Sequence, residues 1–273
     1  NQAVAMAKLG AAVEMFGCVG DDSNGEKMLE NLKAVGVGTE HIPILKGVPT
    51  GIAMITVGDN DNTIIVVPGA NGKVDRAYID SIKSELEKFD MVVLQHEIPL
   101  ETVHYVIEFC YEKGIKIVLN PAPAAAVPME IIDKVTYVTP NEHEAVLIFG
   151  DELSTEDLLR KYPEKLVITQ GSRGVSTCLK DGQILNVPAR KAQVVDTTGA
   201  GDTLNGAFSV QIAEGKAIED ALAYANVAAS LSTEKFGAQT GMPTAEEVET
   251  ALKILNGESV EKEIPVEMEL ITK

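Results

Sequence analysis

From residue 75 to residue 170 the chain alternates between two kinds of pattern, and this alternation limits the folds open to it. Met91-Val92-Val93-Leu94 and Ile115-Lys116-Ile117-Val118-Leu119 are short, nearly continuous apolar runs, and an amphipathic stretch of helical period follows each. Strands of that kind are buried on both faces. A parallel sheet covered by helices provides such burial, because each parallel pair needs a crossover long enough to hold a helix. The pattern predicts helices over 75–88, 101–113, 128–133, 141–149 and 154–162, and strands over 90–95, 115–120, 135–139 and 165–169.

The flanking stretches add to this unit. A strand is expected over 12–17, and a helix over 25–35 with Met28, Leu29 and Leu32 on one face. The runs 50–57 and 62–67 surround Gly58-Asp59-Asn60-Asp61 with no helix between them, so they form a β-hairpin. A second hairpin, 174–179 with 183–187 around Lys180-Asp181-Gly182, belongs at the sheet edge, and helices follow over 202–214, 218–235 and 244–255. The charged tail 257–273 carries no assignable pattern. The expected fold class is therefore α/β, a mostly parallel central sheet with helices on both faces, and a small β-hairpin appended. Residues 1–46 and 70–273 make the core and residues 47–69 the hairpin. Asn1-Gln2-Ala3-Val4-Ala5-Met6 already reads as the inside of a helix with no cap ahead of it, so further residues are expected upstream.

Charge and cysteine content exclude several functions. The net charge is −18, and no run of Lys or Arg exceeds two residues, which argues against binding nucleic acid or an anionic membrane through a basic face. No apolar run approaches the ~18 residues of a membrane helix. Cys18, Cys110 and Cys178 are odd in number, far apart and set in apolar runs, as buried reduced thiols of a cytosolic protein would be.

Chemistry concentrates in Asp196-Thr197-Thr198-Gly199-Ala200-Gly201-Asp202. Small residues at 199–201 allow a tight turn whose N–H groups converge at the start of a helix, where the helix dipole also favours an anion. Asp202 is placed to take a proton from a hydroxyl, and the same position also suits an acid that merely complements the dipole. Ligands of open α/β sheets bind at the carboxyl ends of the strands. Those ends carry Gln95-His96-Glu97, Asn120-Pro121-Ala122, Thr139-Pro140-Asn141 and Thr169-Gln170-Gly171. Asn141 and Glu144, three apart on a first helical turn, suit either a hydrated Mg²⁺ beside phosphates or a plain helix cap. Glu97 suits a sugar hydroxyl or a solvated loop, and 169–174 a nucleotide pocket or a hairpin turn. His143 reads as an exposed helix residue.

In order along the chain, these pieces resemble the ribokinase family of sugar kinases, the phosphofructokinase-B type. The segments that carry the resemblance are Asn1-Gln2-Ala3-Val4-Ala5, Gly17-Cys18-Val19-Gly20-Asp21-Asp22, Pro68-Gly69-Ala70-Asn71, Leu119-Asn120-Pro121-Ala122-Pro123, Thr139-Pro140-Asn141-Glu142, the 196–202 signature and Gly237-Ala238-Gln239-Thr240. The resemblance implies ATP-dependent phosphorylation of a sugar's primary hydroxyl, O5 in the case of ribose, with Mg²⁺ and an activating K⁺, in a cytoplasmic enzyme that when full length dimerises through its lid. Asp202 matches the base, and Gly199, Ala200 and Gly201 the anion hole. Asn1, Glu97 and Asp202 match sugar contacts. Asn141, Thr169, Gln170, Gly171, Ser172, Arg173, Gly174, Gly201 and Asn226 match nucleotide contacts, and Glu144 the Mg²⁺-associated acid. Asp196, Thr198, Ser232, Lys235, Gly237 and Gly241 fall at the monovalent-cation site, although the family often has a side-chain oxygen where Gly241 stands. Members of the family also carry, ahead of the position of Asn1, a first core strand, half of the lid sheet, a sugar-binding Asp and a Gly-Gly-Lys-Gly run. Fructokinase, adenosine kinase and pseudouridine kinase are alternative activities within the family, and a non-catalytic nucleotide-binding remnant is the alternative outside it.

Overall fold

The structure, a computed structural model, describes residues 1–58 and 61–258. Residues 59 and 60 of the first hairpin's turn and most of the charged tail lie outside the described residues. The chain opens with α1 (Gln2–Lys8), β1 (Val19–Gly20), α2 (Ser23–Ala34) and β2 (Ile44–Leu45), and the hairpin β3 (Ile52–Gly58) and β4 (Asp61–Val67) follows. Then come α3 (Arg76–Leu86), β5 (Met91–Leu94), α4 (Leu100–Lys113), β6 (Lys116–Leu119), α5 (Met129–Lys134), β7 (Tyr137–Val138), α6 (Glu142–Phe149), α7 (Thr155–Lys161) and β8 (Val167–Thr169). The chain continues through β9 (Val175–Cys178), β10 (Ile184–Val187), α8 (Ala200–Ala213), α9 (Ile218–Ser232), α10 (Ala238–Gly241) and α11 (Ala245–Leu255).

The central sheet has the expected character. β5, β6 and β7 run parallel, with Leu94 opposite Leu119 and Leu119 opposite Val138. The parallel pairs Val138–Leu166 and Asn141–Thr169 lay β8 alongside β7, and β9 and β10 extend the sheet antiparallel. Ile117, Val118 and Leu119 are wholly buried, as a strand covered on both faces requires. The helices form for local reasons as well as through packing. The Asp75 side chain caps α3 by accepting from Tyr78 N, and Ile79, Ile82 and Leu86 then fall on its buried face. Gly114, in the left-handed conformation at φ 70°, ends α4. On the other side of the sheet, α8 buries Phe208 edge-on against Tyr137 with ring centroids 5.1 Å apart, a geometry worth about 0.5–1.5 kcal/mol beyond the area buried.

The strand expected over 12–17 is reduced to a single parallel pair, Glu14 with Gly38. Bonds from Met15 N to Gly38 O and from Gly38 N to Val13 O hold it, and among the described residues no further strand lies beside it to extend a ladder. The strand expected over 135–139 is only two residues long. The helix expected to begin at 202 begins at Ala200, and the one expected to reach 235 stops at Ser232. β3 and β4 pair with each other over Ile52–Val67 to Gly58–Asp61 and with no other described strand. Asp22 anchors the root of this hairpin: it caps α2 through Gly25 N and accepts from both Thr50 N and Thr50 Oγ1 at 2.7 Å. The three cysteines are buried free thiols, as expected. No helix among the described residues is long and apolar enough to cross a membrane.

Candidate active site

The turn after Asp196 sets the geometry of the site. Gly199 is the N-cap of α8 at φ 80°, and a Cβ there would also stand 3.0 Å from Ala238 Cβ, so the position requires glycine. Gly201 and Asp202 follow in the first turn of α8, where backbone N–H groups have no partner within the helix. The Asp202 carboxylate is held at both oxygens. Oδ2 accepts from Asn1 Nδ2 at 2.8 Å, and Oδ1 accepts from Gln2 Nε2 at 3.1 Å.

Packing of α1 on α8 brings Asn1 and Gln2 to this point. Gly206 faces α1 so closely that a Cβ on it would meet Ala5 Cβ at 2.8 Å and Gln2 O at 3.1 Å. At its far end α1 is tied to the segment around α10, where Lys8 Nζ donates to Gln239 O (2.7 Å) and Met242 O (3.0 Å). Glu97 stands just after β5. Its side chain is open to solvent, yet the protein walls it on the inner side. Desolvation there, and then the Asp202 charge, raise its carboxyl above the usual range. Glu97 is thus near enough to Asp202, at the carboxyl end of the sheet, to feel its charge.

A second group of residues gathers at the ends of β7 and β8. Asn141 and Glu144 form a reciprocal cap on α6: Glu144 N donates to Asn141 Oδ1 and Asn141 N to Glu144 Oε2, both at 2.8 Å. The plain-cap reading of this pair is therefore realised in the structure. Burial raises the Glu144 carboxyl, against the pull of the bond from Asn141 N. Gln170 Nε2 donates to Glu142 Oε1 at 3.4 Å, and Arg173 pairs with the same oxygen, so the 169–174 loop lies against the start of α6. Within this loop, Gly171, Ser172 and Arg173 form a 3₁₀ turn. At Gly174, φ is 100° and Val187 O would lie 2.0 Å from a Cβ. His143 is exposed, as expected. Asn226 is buried on α9, with its amide donating to Val187 O (3.3 Å) and Pro188 O (2.6 Å) beyond the end of β10.

The third group surrounds Asp196. Its carboxylate accepts from Thr198 N and Gly237 N, each at 2.9 Å, and the Thr198 side chain first, then these two N–H groups, hold it below the usual carboxylate range. Val195 N and Asp196 N both donate to Thr233 O. A Cβ at Gly241 would meet Ser232 O at 2.5 Å and Lys235 O at 3.4 Å, so two carbonyls converge on the space left open there. The Lys235 ammonium is turned away to Glu247. Among the described residues no three His, Cys, Asp or Glu side chains converge as a metal cluster.

Three residues that hold this geometry are not among the site residues expected from the sequence: Gln2, Asn205, whose Nδ2 donates to Gly201 O at 2.9 Å, and Gln239, whose Nε2 donates to Asn1 Oδ1 at 3.2 Å. Gln2 does carry a signal: it lies in α1 among the buried Val4 and Ala5, where a polar side chain needs partners.

The fold and the site define a carbohydrate kinase. The profile of the pfkB family carbohydrate kinases matches residues 1–245, and the chain belongs to this family. It is 50% identical over 252 residues to the ribokinase of Bacillus subtilis, covering 92% of this chain and 85% of the relative. To the ribokinase of Lactococcus lactis it is 47% identical over 257 residues, with 93% and 84% covered. Among solved structures, that of Arabidopsis thaliana ribokinase complexed with ribose and ATP superposes with a TM-score of 0.85 at 30% identity, covering 92% of this chain and 85% of the other.

Proposed function

We propose that the chain transfers the γ-phosphoryl group of ATP to O5 of D-ribose, with Asp202 as the base. The observation that carries this reading is the placement of the Asp202 carboxylate. It sits in the first turn of α8, fixed by two amide donors, beside the backbone N–H groups that a helix leaves without partners of its own. Asp202 accepts the proton of the O5 hydroxyl as O5 attacks the γ-phosphorus, and the N–H groups at Gly199 and Gly201, joined by that of Ala200 when it exchanges its bond to Thr197 O (3.2 Å) for the phosphoryl oxygen, meet the charge that develops on the transferred group. Asn1 has one amide hydrogen left for the sugar, and the neighbouring Glu97 offers a hydroxyl acceptor. Asn141, residues 169–174 and Asn226 line the nucleotide side.

Mg²⁺ is the expected companion of ATP. With no cluster of protein acids among the described residues, it would draw its oxygens chiefly from phosphates and water, with Glu144 bonded through that water. The converging carbonyls of Ser232 and Lys235 and the Asp196 carboxylate suit K⁺, a cation held by oxygen dipoles. Thr198, Gly237 and Gly241 complete that cradle, and bound K⁺ would order the 196–202 loop.

The hairpin 47–69 serves as the lid over the sugar. Its exposed Ile52, Met54, Ile65, Val66 and Val67 support pairing of two copies of the chain through this element. The acidic charge and the free buried thiols suit a cytoplasmic enzyme.

The test is ATP consumption coupled to ribose, with ³¹P NMR locating the phosphate. Deoxyribose, fructose, adenosine and pseudouridine serve as competing acceptors. Ribose should give the highest kcat/KM, with phosphate on O5. A folded sample with no ribose-dependent ADP release, or one that prefers another acceptor, overturns the proposal.

A further inference from the structure

Asp202 is gripped by amides that are themselves gripped. Gln2 Nε2 donates to Asp202 Oδ1 (3.1 Å) and to Asn120 Oδ1 (2.9 Å), while its Oε1 accepts from Gln95 Nε2 (2.7 Å). Asn120 Nδ2 in turn donates to the backbone carbonyl of Thr139 at 3.1 Å. On the other carboxylate oxygen, Asn1 Nδ2 donates at 2.8 Å, and Asn1 Oδ1 accepts from Gln239 Nε2 at 3.2 Å.

An amide can be reversed end for end, but the Thr139 carbonyl can only accept. It therefore fixes the Asn120 NH₂ toward itself and the Asn120 oxygen toward Gln2. That oxygen fixes the Gln2 NH₂, both of whose hydrogens are then committed, one to Asn120 and one to Asp202. The order of donors is thus set at a main-chain atom at the end of β7 and passed through two buried side chains to the carboxylate. The helix turn that carries Asp202 is referenced to the same point. Thr139 Oγ1 donates to Asn205 Oδ1, and Asn205 Nδ2 donates to Gly201 O at 2.9 Å.

We propose that Gln2 is a positioning residue for the phosphoryl transfer: it presents an N–H, never an oxygen, to Asp202 Oδ1 and so aims the remaining lone pairs of the carboxylate at the sugar hydroxyl. Gln95 and Asn120 act through Gln2. The proposal rests on Asp202 being the base. Aim matters because a near-attack geometry about 1 Å out of place costs on the order of 10²-fold in rate.

The test is a mutant cycle in the whole chain, read as kcat for ribose, with calorimetric ATP affinity measured for every variant. Gln2→Met keeps the volume and removes the bonds, and should lower kcat about 10- to 100-fold, the range for a lost hydrogen bond to a charged group. Gln2→Glu keeps the shape but puts an oxygen where the donor was, and should be worse than Gln2→Met. A packing role predicts the opposite order, because the glutamate is the closer isostere. In an Asp202→Ala background, Gln2→Met should change the residual rate less than about twofold, since its route of action is gone. ATP affinity should stay within about threefold throughout.

Gln95→Met removes only the outer bond. It should cost a few-fold in kcat, and nothing further once Gln2→Met is present, so it covers the case in which Gln2 variants fail to fold. Equal losses in both Asp202 backgrounds, a milder Gln2→Glu than Gln2→Met, or a Gln95→Met variant with wild-type kcat would overturn the proposal. An Asp202→Ala variant with wild-type turnover would instead remove the base assignment beneath it.

Discussion

Gly206→Ala adds one methyl group at the seam between α1 and α8, and its effect can be worked out from the distances there. The new Cβ would lie 2.8 Å from Ala5 Cβ, 3.1 Å from Gln2 O and 3.3 Å from Met6 N. None of these atoms is the free end of a flexible side chain. Carbon atoms pack comfortably at about 3.5–4.0 Å, so α1 must retreat by about 0.7–1.2 Å. That motion carries Asn1 Nδ2 from 2.8 Å to about 3.5 Å or more from Asp202 Oδ2, and moves Gln2 out of range of Oδ1. Overpacking costs about 1–3 kcal/mol, and the better helix propensity of alanine returns at most about 1 kcal/mol. The expected net loss of stability is about 0–2 kcal/mol, with kcat reduced about 10- to 100-fold. Urea unfolding followed by circular dichroism gives the first quantity and the coupled ribose assay gives the second. Gly201→Ala in the same helix is the stability control, because a Cβ there meets nothing within 4 Å and should not lower the unfolding midpoint. A Gly206→Ala variant with wild-type kcat and midpoint would refute the reasoning that α1 is positioned by this contact.

Three further outcomes follow from charges and their partners. The bonds from Thr50 and Gly25 hold the Asp22 carboxyl down at about 2 in the folded chain, below its ordinary value. It therefore contributes stability that is present above about pH 4 and is lost as pH falls toward 2, so Asp22→Asn should flatten that part of an acid-unfolding curve. His96 is buried beside Pro123 O, and desolvation lowers its pKa, with His104 adding repulsion. Protonation then favours the unfolded chain, so the urea midpoint should fall as pH drops below 6.5, and His96→Gln should reduce that slope. K⁺ titrated at fixed ionic strength should raise ribose-dependent turnover over Na⁺, and indifference to K⁺ would mean that the carbonyls around Gly241 do not hold it.

The alternation of apolar strands and helices was legible because burial on both faces leaves a continuous apolar run, as at Ile117, Val118 and Leu119. The segment 12–17 has the composition of such a strand but makes only one paired contact, at Gly38, because strand formation depends on neighbours that composition does not encode. α10 went unseen: Ala238-Gln239-Thr240-Gly241 is one helical turn between glycines, too short for a period to register. The strand-end rule located Glu97, Asn120, Asn141 and Thr169 at the mouth of the sheet, and the glycine turn located Asp202. What remained hidden was the wiring. Gln2 and Gln239 lie 237 residues apart, and both reach Asp202, directly or through Asn1, only because α1 packs on α8 and is pinned by Lys8 to the α10 segment. The Asn141–Glu144 pair shows the reverse case, since one spacing served both a cap and a phosphate-side role, and the structure realises the cap.

The central claim is that Asp202 removes the proton from the sugar hydroxyl, and Asp202→Asn tests it most directly. The amide keeps the size of the side chain and removes its basicity, while the backbone N–H groups of the α8 turn remain. Single-turnover phosphorylation of ribose, measured beside calorimetric ATP binding, should fall by at least about 10²-fold with ATP affinity nearly unchanged, in line with the 10²–10⁴-fold worth of a general base. A variant that phosphorylates ribose within threefold of the parent rate would contradict the claim.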